Sequence, residues 1–363
     1  MPKAQGKGGG RRRRVVKGTS RDRLSDLPDE VLHCILSFLD TKSAARSGIL
    51  SIRWRSLWRT VPILNFDGES FNNNVESFKD YVNRLLFLRF CTSHGVRQVS
   101  LLNCPGFGER SDVFASLFWS ISLCNQSLET LNLRAVRLHT LTLGLPAPAF
   151  QVLTSLTLRD CSFQVSRLYQ QSVDPFAGFP VLKTLRLISC SRFLDDNDNP
   201  AEVKKSLKVS GLELLSLEIH DPFGFDDIRV SAPKLESFTY RDVIRDISPV
   251  TEVSLDVPSL QQASILLWGY MGLQLHDGHD KQYANLLAGL SNAQTLILQF
   301  DTLEALIHAC DLVKHQPSPF TRLKSLSLLY SEETVGVPCY VMRFFCDGSP
   351  FMDENSLKLT KVR

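Results

Sequence analysis

The stretch LTSLTLRDC, residues 153–161, decides the fold of most of this 363-residue chain. It follows the pattern L-x-x-L-x-L-x-x-C, in which Leu156 and Leu158 alternate with polar residues. Because side chains of an extended strand point alternately to opposite faces, the pattern predicts a short strand with buried leucines and outward-facing polar residues. The fixed position of Cys161 at its end predicts a small buried side chain and not a reactive thiol.

The same pattern recurs along the chain. Copies begin at Val96, Leu128, Leu153 and Leu182, and weaker ones at Leu212, Leu235, Leu260, Ala293 and Leu323. Their starts lie 23 to 33 residues apart, a spacing that matches leucine-rich repeats with irregular convex segments. Such repeats bury their leucines by stacking on their neighbours. Residues 96–331 are therefore predicted to form an α/β solenoid with one short parallel strand per repeat, in which Cys104 and Cys190 are buried like Cys161.

The stretch DLPDEVLHCILSFLD, residues 26–40, indicates a separate helical unit before the repeats. An apolar stripe recurs at helical spacing through Val31, Leu32, Ile35, Leu36 and Leu39. A second helix is predicted from Thr41 or Ser43 to Leu50, and a third in IRWRSLWRTV. Three helices in some 40 residues have more apolar surface than they can bury internally, so part of it must pack against something else. Periodicity alone favours packing of this surface against the rest of the same chain.

Residues 22–66, DRLSDLPDEVLHCILSFLDTKSAARSGILSIRWRSLWRTVPILNF, resemble the F-box of plant F-box proteins with leucine-rich repeats. The resemblance rests on the Leu-Pro opening, the Ile-Leu-Ser-Phe-Leu run and the Leu-Ser-x-Arg-Trp-Arg-x-Leu-Trp close. It implies that the helices bind the Skp adaptor of an SCF-type cullin-RING ubiquitin ligase, that the repeats bind a protein target, and that other subunits carry out catalysis. The motif-matching positions, implied to bind the adaptor, are Leu27, Pro28, Ile35, Leu36, Leu39, Leu50 and Trp54.

Two positions depart from the motif of this family. Gly48 stands where Ser or Val is usual, and Ile52 where Lys or Arg is usual. A glycine within a helix is expected to cost up to about 1 kcal/mol. The departures motivate an alternative function, a leucine-rich-repeat scaffold that has a drifted F-box and does not act in a ligase.

The residues between the leucines of each strand form the predicted target-binding surface, because one strand per repeat builds an extended concave face. The candidates are Asn132, Arg134, Arg159, Arg186 and Arg241. Arg134, Arg159 and Arg241 share one repeat position, which predicts a ladder suited to an acidic segment or a phosphate. An ordinary solvated face is the competing interpretation.

The basic residues are concentrated at the N-terminal end. The first 23 residues hold nine Lys or Arg and one acidic residue, whereas the whole chain has a formal charge of +3. Glycines flank the run Arg11–Arg14, so residues 1–21 are predicted to be a disordered basic tail. A nuclear import signal and a solvated tail are both compatible with it, and nucleic-acid binding is disfavoured. The expected location is the nucleus, the cytoplasm or both.

The remaining segments have weaker signals. Residues 67–95 are interpreted as a linker and a capping helix, and residues 332–363 as a C-terminal extension. Many members of the plant group continue into a module called FBD, which is not recognisable here. Either this chain lacks the module or the sequence stops short of it.

No pattern in the sequence indicates catalysis, a cofactor or a metal site. The nine cysteines include no C-x-x-C pair, and Walker, G-x-S-x-G and H-E-x-x-H motifs are missing. The stretch HDGHD, residues 276–280, has a turn glycine and no second ligand cluster, so a metal role is disfavoured. No apolar run approaches the roughly 18 to 20 residues of a membrane span. The sequence therefore predicts a non-catalytic binding protein.

Overall fold

A computed structural model of the chain describes residues 24, 26–72, 74–92, 94–104, 117–118, 120–124, 126–135, 137–139, 150–164, 174–193, 206–244, 251–269, 285–299, 317–330, 339–352 and 356–361. The predicted basic tail at residues 1–21 and the HDGHD stretch lie outside these ranges.

Three short helices form the N-terminal unit. They are α1 (Asp29–Ser37), α2 (Thr41–Arg46) and α3 (Ile52–Thr60), with a 3-10 turn (Ser47–Ile49) between the last two. The carboxylate of Asp40 accepts a hydrogen bond from the Ser43 amide and so caps α2, and the Ser51 hydroxyl caps α3 by accepting from the Trp54 amide. The second helix is shorter than predicted, because the residues after Arg46 form the 3-10 turn.

The strands of the chain are β1 (Ile63–Asp67), β2 (Gln98–Leu102), β3 (Thr130–Arg134), β4 (Arg137–His139), β5 (Ser155–Arg159), β6 (Ser162–Gln164), β7 (Thr184–Ile188), β8 (Ser191–Phe193), β9 (Ser206–Ser210), β10 (Ser216–His220), β11 (Asp227–Ser231), β12 (Ser237–Ile244), β13 (Glu252–Asp256), β14 (Gln262–Gly269), β15 (Thr295–Gln299), β16 (Ser325–Tyr330) and β17 (Leu357–Lys361). Two further helices are the 17-residue α4 (Val75–Cys91) and the 8-residue α5 (Cys339–Cys346), and a 3-10 turn (Gly68–Phe71) precedes α4.

Within the described residues, eleven strands form one parallel sheet in the order β1-β2-β3-β5-β7-β10-β12-β14-β15-β16-β17. The other six form two three-stranded sheets, β4-β6-β8 and β9-β11-β13. Each strand of the large sheet pairs in parallel with its neighbours. This architecture confirms the predicted helical unit followed by a repeat solenoid.

The repeat leucines stack in register along the core of the solenoid. Leu131, Leu156, Leu185 and Leu217 are successive partners on adjacent strands, and all four are fully buried. One predicted repeat start is wrong: Leu212 is 75% exposed, whereas Leu214 is 1% exposed and opens the repeat of β10. The frame that begins at Leu214 places Leu217 and Ile219 inward, where they meet the leucines of the neighbouring strand.

The large sheet extends beyond residues 96–331 at both ends. At the N-terminal end, β1 follows α3 directly and pairs with β2. At the C-terminal end, β17 pairs with β16. The helix α4 packs Phe78, Val82 and Leu86 into the solenoid core. The helical unit is thus attached to the first strand of the solenoid without an intervening linker.

A left-handed residue follows many of the strands. The non-glycine residues with positive φ at this repeat position are Asn103, Ala135, Asp160, Ser189 and Asp221. The amides of the last four continue the interstrand hydrogen bonds, as when the Ala135 amide donates to the Arg159 carbonyl at 2.9 Å. Cβ crowds the backbone in this conformation. Placing an alanine there therefore costs roughly 1–2 kcal/mol of folding free energy, a cost that glycine avoids because it has no Cβ.

We therefore expect Ala135→Gly to stabilise the solenoid by about 0.5–1 kcal/mol, after allowing for the greater entropy that glycine loses on folding. Urea denaturation of the purified chain measures this change. Ala45→Gly in α2 is the matched control and should destabilise by up to about 1 kcal/mol, because that residue is helical. A loss of stability in both variants would contradict the argument.

Candidate functional site

The helical unit exposes a continuous set of large apolar side chains. Val31 and Ile35 of α1 and the C-cap residue Phe38 follow one another at helical spacing on one side of the helix, and their exposed fractions range from 38% to 82%. Further apolar side chains are exposed around the 3-10 turn and the start of α3: Ile49, Leu50 and Ile52. A set of this size on so small a unit is characteristic of a protein-binding surface.

Five of the seven residues predicted to bind an adaptor are accessible in the structure. Ile35 and Leu39 are each 38% exposed and Leu50 is 64% exposed. Pro28 is also exposed, and Leu27 is half-buried against the small core of the helical unit.

The other two predicted binding residues are enclosed in the free chain. Leu36 is 1% exposed and Trp54 is 8% exposed, and both lie in the core of the helical unit. That core consists of Leu32, Leu36, Ala44, Trp54, Leu57 and Val61. Side chains enclosed in this way stabilise the unit that carries the binding surface and offer almost no area to a partner.

Three exposed residues were missed by the sequence reasoning. Phe38, Ile49 and Ile52 are each more than 80% exposed. Helical spacing from Val31 and Ile35 could have identified Phe38. No periodic signal marks Ile49, because it lies in the 3-10 turn, and Ile52 was treated only as a departure from the family motif.

The structure explains why a glycine occupies position 48, which the sequence alone did not. It is buried in the 3-10 turn, and a Cβ there would lie 3.3 Å from Cα of Arg55 and 3.4 Å from the Trp58 ring. The predicted cost of a glycine within a helix therefore does not apply here. The small residue lets the turn approach α3 closely, and this departure from the motif is compatible with a well-packed helical unit.

Several hydrogen bonds fix the helical unit to the solenoid. The side-chain amide of Asn65 in β1 donates to the Ser37 carbonyl at 2.8 Å, and the Thr41 hydroxyl donates to the Asn65 carbonyl at 2.8 Å. From the other side, Nη2 of Arg89 in α4 donates to the Trp58 carbonyl at 2.8 Å near the end of α3. Burial lowers the pKa of Arg89 to about 10, so the group stays cationic at neutral pH and keeps this bond.

The outward-facing residues of the solenoid strands form the second candidate surface. Arg134, Arg159, Ile188, His220, Arg241 and Leu266 are successive register partners across this face. The predicted arginine ladder is therefore corrected. Arg134 and Arg159 are neighbours, but Ile188 and His220 separate them from Arg241.

Ion pairs occupy part of this surface. Nε of Arg134 lies 3.2 Å from a carboxylate oxygen of Asp160, and Nη2 of Arg186 lies 2.9 Å from a carboxylate oxygen of Glu218. Asn132 donates its side-chain amide to the Ser100 hydroxyl at 3.2 Å. Exposed pairs of this kind contribute little to stability, so the arginines remain available to a competing anion.

The buried cysteines have no features of a reactive site. Cys104, Cys161 and Cys190 are buried in the solenoid core as predicted. Burial raises the pKa of the Cys104 and Cys190 thiols far above their usual range. The Cys190 thiol donates to the Leu158 carbonyl at 3.4 Å, as a repeat-stacking contact would. The raised pKa keeps the Cys104 and Cys190 thiols protonated, and all three cysteines are buried, so they stabilise the fold.

The described part of the chain contains no group of three or more His, Cys, Asp or Glu side chains arranged to hold a metal ion. Over the same residues, no helix combines the length and apolarity that crossing a membrane would require.

The geometry defines a small helical unit with an exposed apolar surface, hydrogen-bonded to a parallel repeat solenoid. Residues 24–66, which include α1 to α3, match the family model of the F-box domain. The chain thus has an F-box domain followed by a leucine-rich-repeat-like solenoid.

Similarity to known proteins extends through the solenoid. The chain is 29% identical to an F-box protein of Arabidopsis thaliana over 76% of its own length and 66% of that protein. It is 27% identical to an F-box/LRR-repeat protein, over 80% of this chain and 66% of the relative. It is 26% identical to a putative F-box/FBD/LRR-repeat protein, over 85% and 68%. Both are from the same plant, and the chain spans about two thirds of the length of these relatives.

Proposed function

We propose that this chain is the substrate-receptor subunit of an SCF-type cullin-RING ubiquitin ligase. The F-box domain binds the Skp adaptor, and the concave face of the solenoid binds a protein target. The chain itself is non-catalytic, since its task is to hold the target's lysines near the ubiquitin-charged enzyme and so raise their effective concentration there. The proposed location is the nucleus, the cytoplasm or both.

The observation that carries this proposal is the exposed apolar surface on the matched F-box domain. Burying one exposed aliphatic side chain contributes about 1.5–3 kcal/mol, so the surface offers several such contributions. Ile35, Leu39 and Leu50 are motif positions that remain exposed, and Phe38 and Ile49 enlarge the same surface. The summed free energy of burying these side chains can offset the loss of translational and rotational freedom on association.

The attachment of the F-box domain to the solenoid supports the positional mechanism. Asn65 and Arg89 bond the helical unit to the first strand and to the capping helix α4. A target on the concave face is then held in a defined direction relative to the adaptor. A flexible linker would spread the target's lysines over a larger volume and lower their effective concentration.

Calorimetric titration of the full chain with purified Skp adaptor tests the proposal. We expect a dissociation constant below about 1 µM, which corresponds to roughly 8 kcal/mol of binding free energy. An Arg241→Gln chain should bind the adaptor equally well, because its change lies on the concave face. The absence of binding by a folded chain would reject the ligase role and favour the alternative of a scaffold with a drifted F-box.

A further inference from the structure

An apolar ledge is exposed on the concave face of the solenoid. Val243 of β12 and Trp268 of β14 are register partners that point outward, and they are 38% and 41% exposed. Leu266, at the preceding outward position of β14, is the register partner of Arg241 and is only 9% exposed. Isolated exposed apolar residues are common, but two adjacent large ones form a surface that a partner can cover.

A cationic group adjoins this apolar ledge. Arg241 is the outward residue before Val243 in β12, and His220 of β10 is its register partner on the other side. Nε of Arg241 and Nε2 of His220 are both buried without a hydrogen-bond partner in the described structure. Both side chains are only partly exposed, so part of their desolvation is already present in the free protein. An anion at their accessible edge, away from these two enclosed atoms, meets a poorly screened charge.

We propose that the strip of concave face from His220 to Trp268 binds an extended acidic peptide segment of the target. A carboxylate of the segment pairs with Arg241 and His220, and an apolar side chain covers Val243 and Trp268. This inference rests on the proposed role of the concave face in target binding.

The spacing of the strands fixes the form of the peptide motif. β10, β12 and β14 are consecutive neighbours in the sheet, and adjacent strands lie about 4.8 Å apart. Trp268 also lies two residues beyond the register row of His220, so the two residues are separated by roughly 12 Å. An extended chain rises about 3.3 Å per residue, so the acidic and the apolar residue of the segment are about three or four positions apart.

The surrounding charges favour a carboxylate over a phosphate. Glu218 precedes His220 on the outward face of β10 and already pairs with Arg186, and Asp221 follows His220 directly. A phosphate dianion would be repelled more strongly by these two carboxylates than a single carboxylate would be. The partner is therefore expected to contain Asp or Glu at the anionic position.

Binding of this segment is expected to take up a proton. Burial and the nearby charge of Arg241 lower the pKa of His220, Arg186 acts in the same direction, and Glu218 and Asp221 oppose them. The ring is therefore mostly neutral in the free protein at pH 7. A bound carboxylate favours the imidazolium and raises the pKa, so affinity should increase as the pH falls from 8 to 6.

The test begins with selection of a random decapeptide phage library on the immobilised full chain. We expect enrichment of peptides that have Asp or Glu about three or four positions from Phe, Leu, Ile or Trp. Synthetic versions of the enriched peptides are then titrated by fluorescence anisotropy at pH 6, 7 and 8. The Arg241→Gln variant should bind at least about tenfold more weakly, the size of effect expected for loss of a charge-assisted contact.

Two further variants and one control make the test specific. Trp268→Ala should also weaken binding about tenfold, and Val243→Ser probes the same ledge with a smaller change that preserves the fold. Arg97→Gln is the matched control, because it removes an exposed arginine of the solenoid that lies outside the outward row, and it should leave affinity within about twofold. Lack of enrichment, enrichment without acidic residues, or affinity insensitive to Arg241→Gln would each overturn the proposal.

Two comparisons separate this inference from binding of a phosphorylated segment and from the proposed ligase function. Replacing the acidic residue of an enriched peptide by phosphoserine should not strengthen binding, and a gain of tenfold or more would overturn the choice of a carboxylate. Adaptor titration of the same variants tests the proposed function independently. A chain that binds the adaptor but not the acidic peptides would overturn only the proposal for the concave face. A chain that binds the peptides but not the adaptor would reject only the ligase role.

Discussion

A chain carrying Ile35→Ala and Leu50→Ala is expected to bind the Skp adaptor at least about 100-fold more weakly than the parent, with its folding stability nearly unchanged. Ile35 is 38% exposed and Leu50 is 64% exposed, so truncating them removes little of the F-box domain's own burial. In the proposed complex both side chains are covered, and losing two such contacts removes about 3 kcal/mol or more of binding free energy. Calorimetry of both chains measures the difference.

The control for this experiment is an apolar truncation of similar exposure at the other end of the molecule. Leu359 of β17 is 61% exposed, so Leu359→Ala removes a comparable side chain far along the sheet from the F-box domain. It should bind the adaptor like the parent. Affinity of the double variant within about threefold of the parent would show that the exposed stripe is not the adaptor surface.

The inward register of the solenoid could be predicted because period-2 alternation and repetition act together. Each repeat supplies the same leucine frame, and neighbouring repeats bury one another's leucines, so Leu156 and Leu185 follow from the pattern alone. The failure at Leu212 has a definite cause. The stretch GLELLSLEI, residues 211–219, fits the template from Leu212 and also from Leu214. Pairing of Leu217 with Leu185 and Phe238 decides between them, and such pairing exists only in the folded sheet.

The binding face of the F-box domain was only partly predictable. Helical periodicity identifies Ile35 and Leu36 as members of one apolar stripe, but it does not say which of them faces inward. That choice depends on how α1 packs against α3 and β1, which are distant in sequence. The structure buries Leu36 and exposes Ile35, so a single stripe divides into a core side and a binding side.

The arginine row shows the opposite kind of error, because the information was present in the sequence. Arg134, Arg159 and Arg241 do share one repeat position, as the pattern predicted. The stretches TLRLI and SLEIH place Ile188 and His220 at the same position in the two intervening repeats. Reading every repeat at that position would have shown a broken row, and it would have placed His220 beside Arg241.

Trp54→Ala is expected to destabilise the F-box domain by about 3–5 kcal/mol and to abolish adaptor binding indirectly. Trp54 is 8% exposed within a core of only six buried side chains, so its removal leaves a cavity that few neighbours can fill. Amide hydrogen exchange measures the effect segment by segment. Exchange should accelerate in α1, α2 and α3, whereas the solenoid strands β5, β7 and β10 should keep the protection of the parent.

The comparison with the Ile35→Ala/Leu50→Ala variant determines whether Trp54 stabilises the F-box domain or contacts the adaptor directly. Ile35→Ala with Leu50→Ala should lose binding without any acceleration of exchange, because those side chains are exposed in the free chain. Trp54→Ala should lose binding only to the extent that the helices open, since the binding-competent fraction falls with local stability. If Trp54→Ala instead lost binding while exchange in α1 to α3 stayed slow, Trp54 would have to contact the adaptor directly. The F-box core would then rearrange on binding, which a side chain enclosed by Leu32, Leu36 and Leu57 argues against.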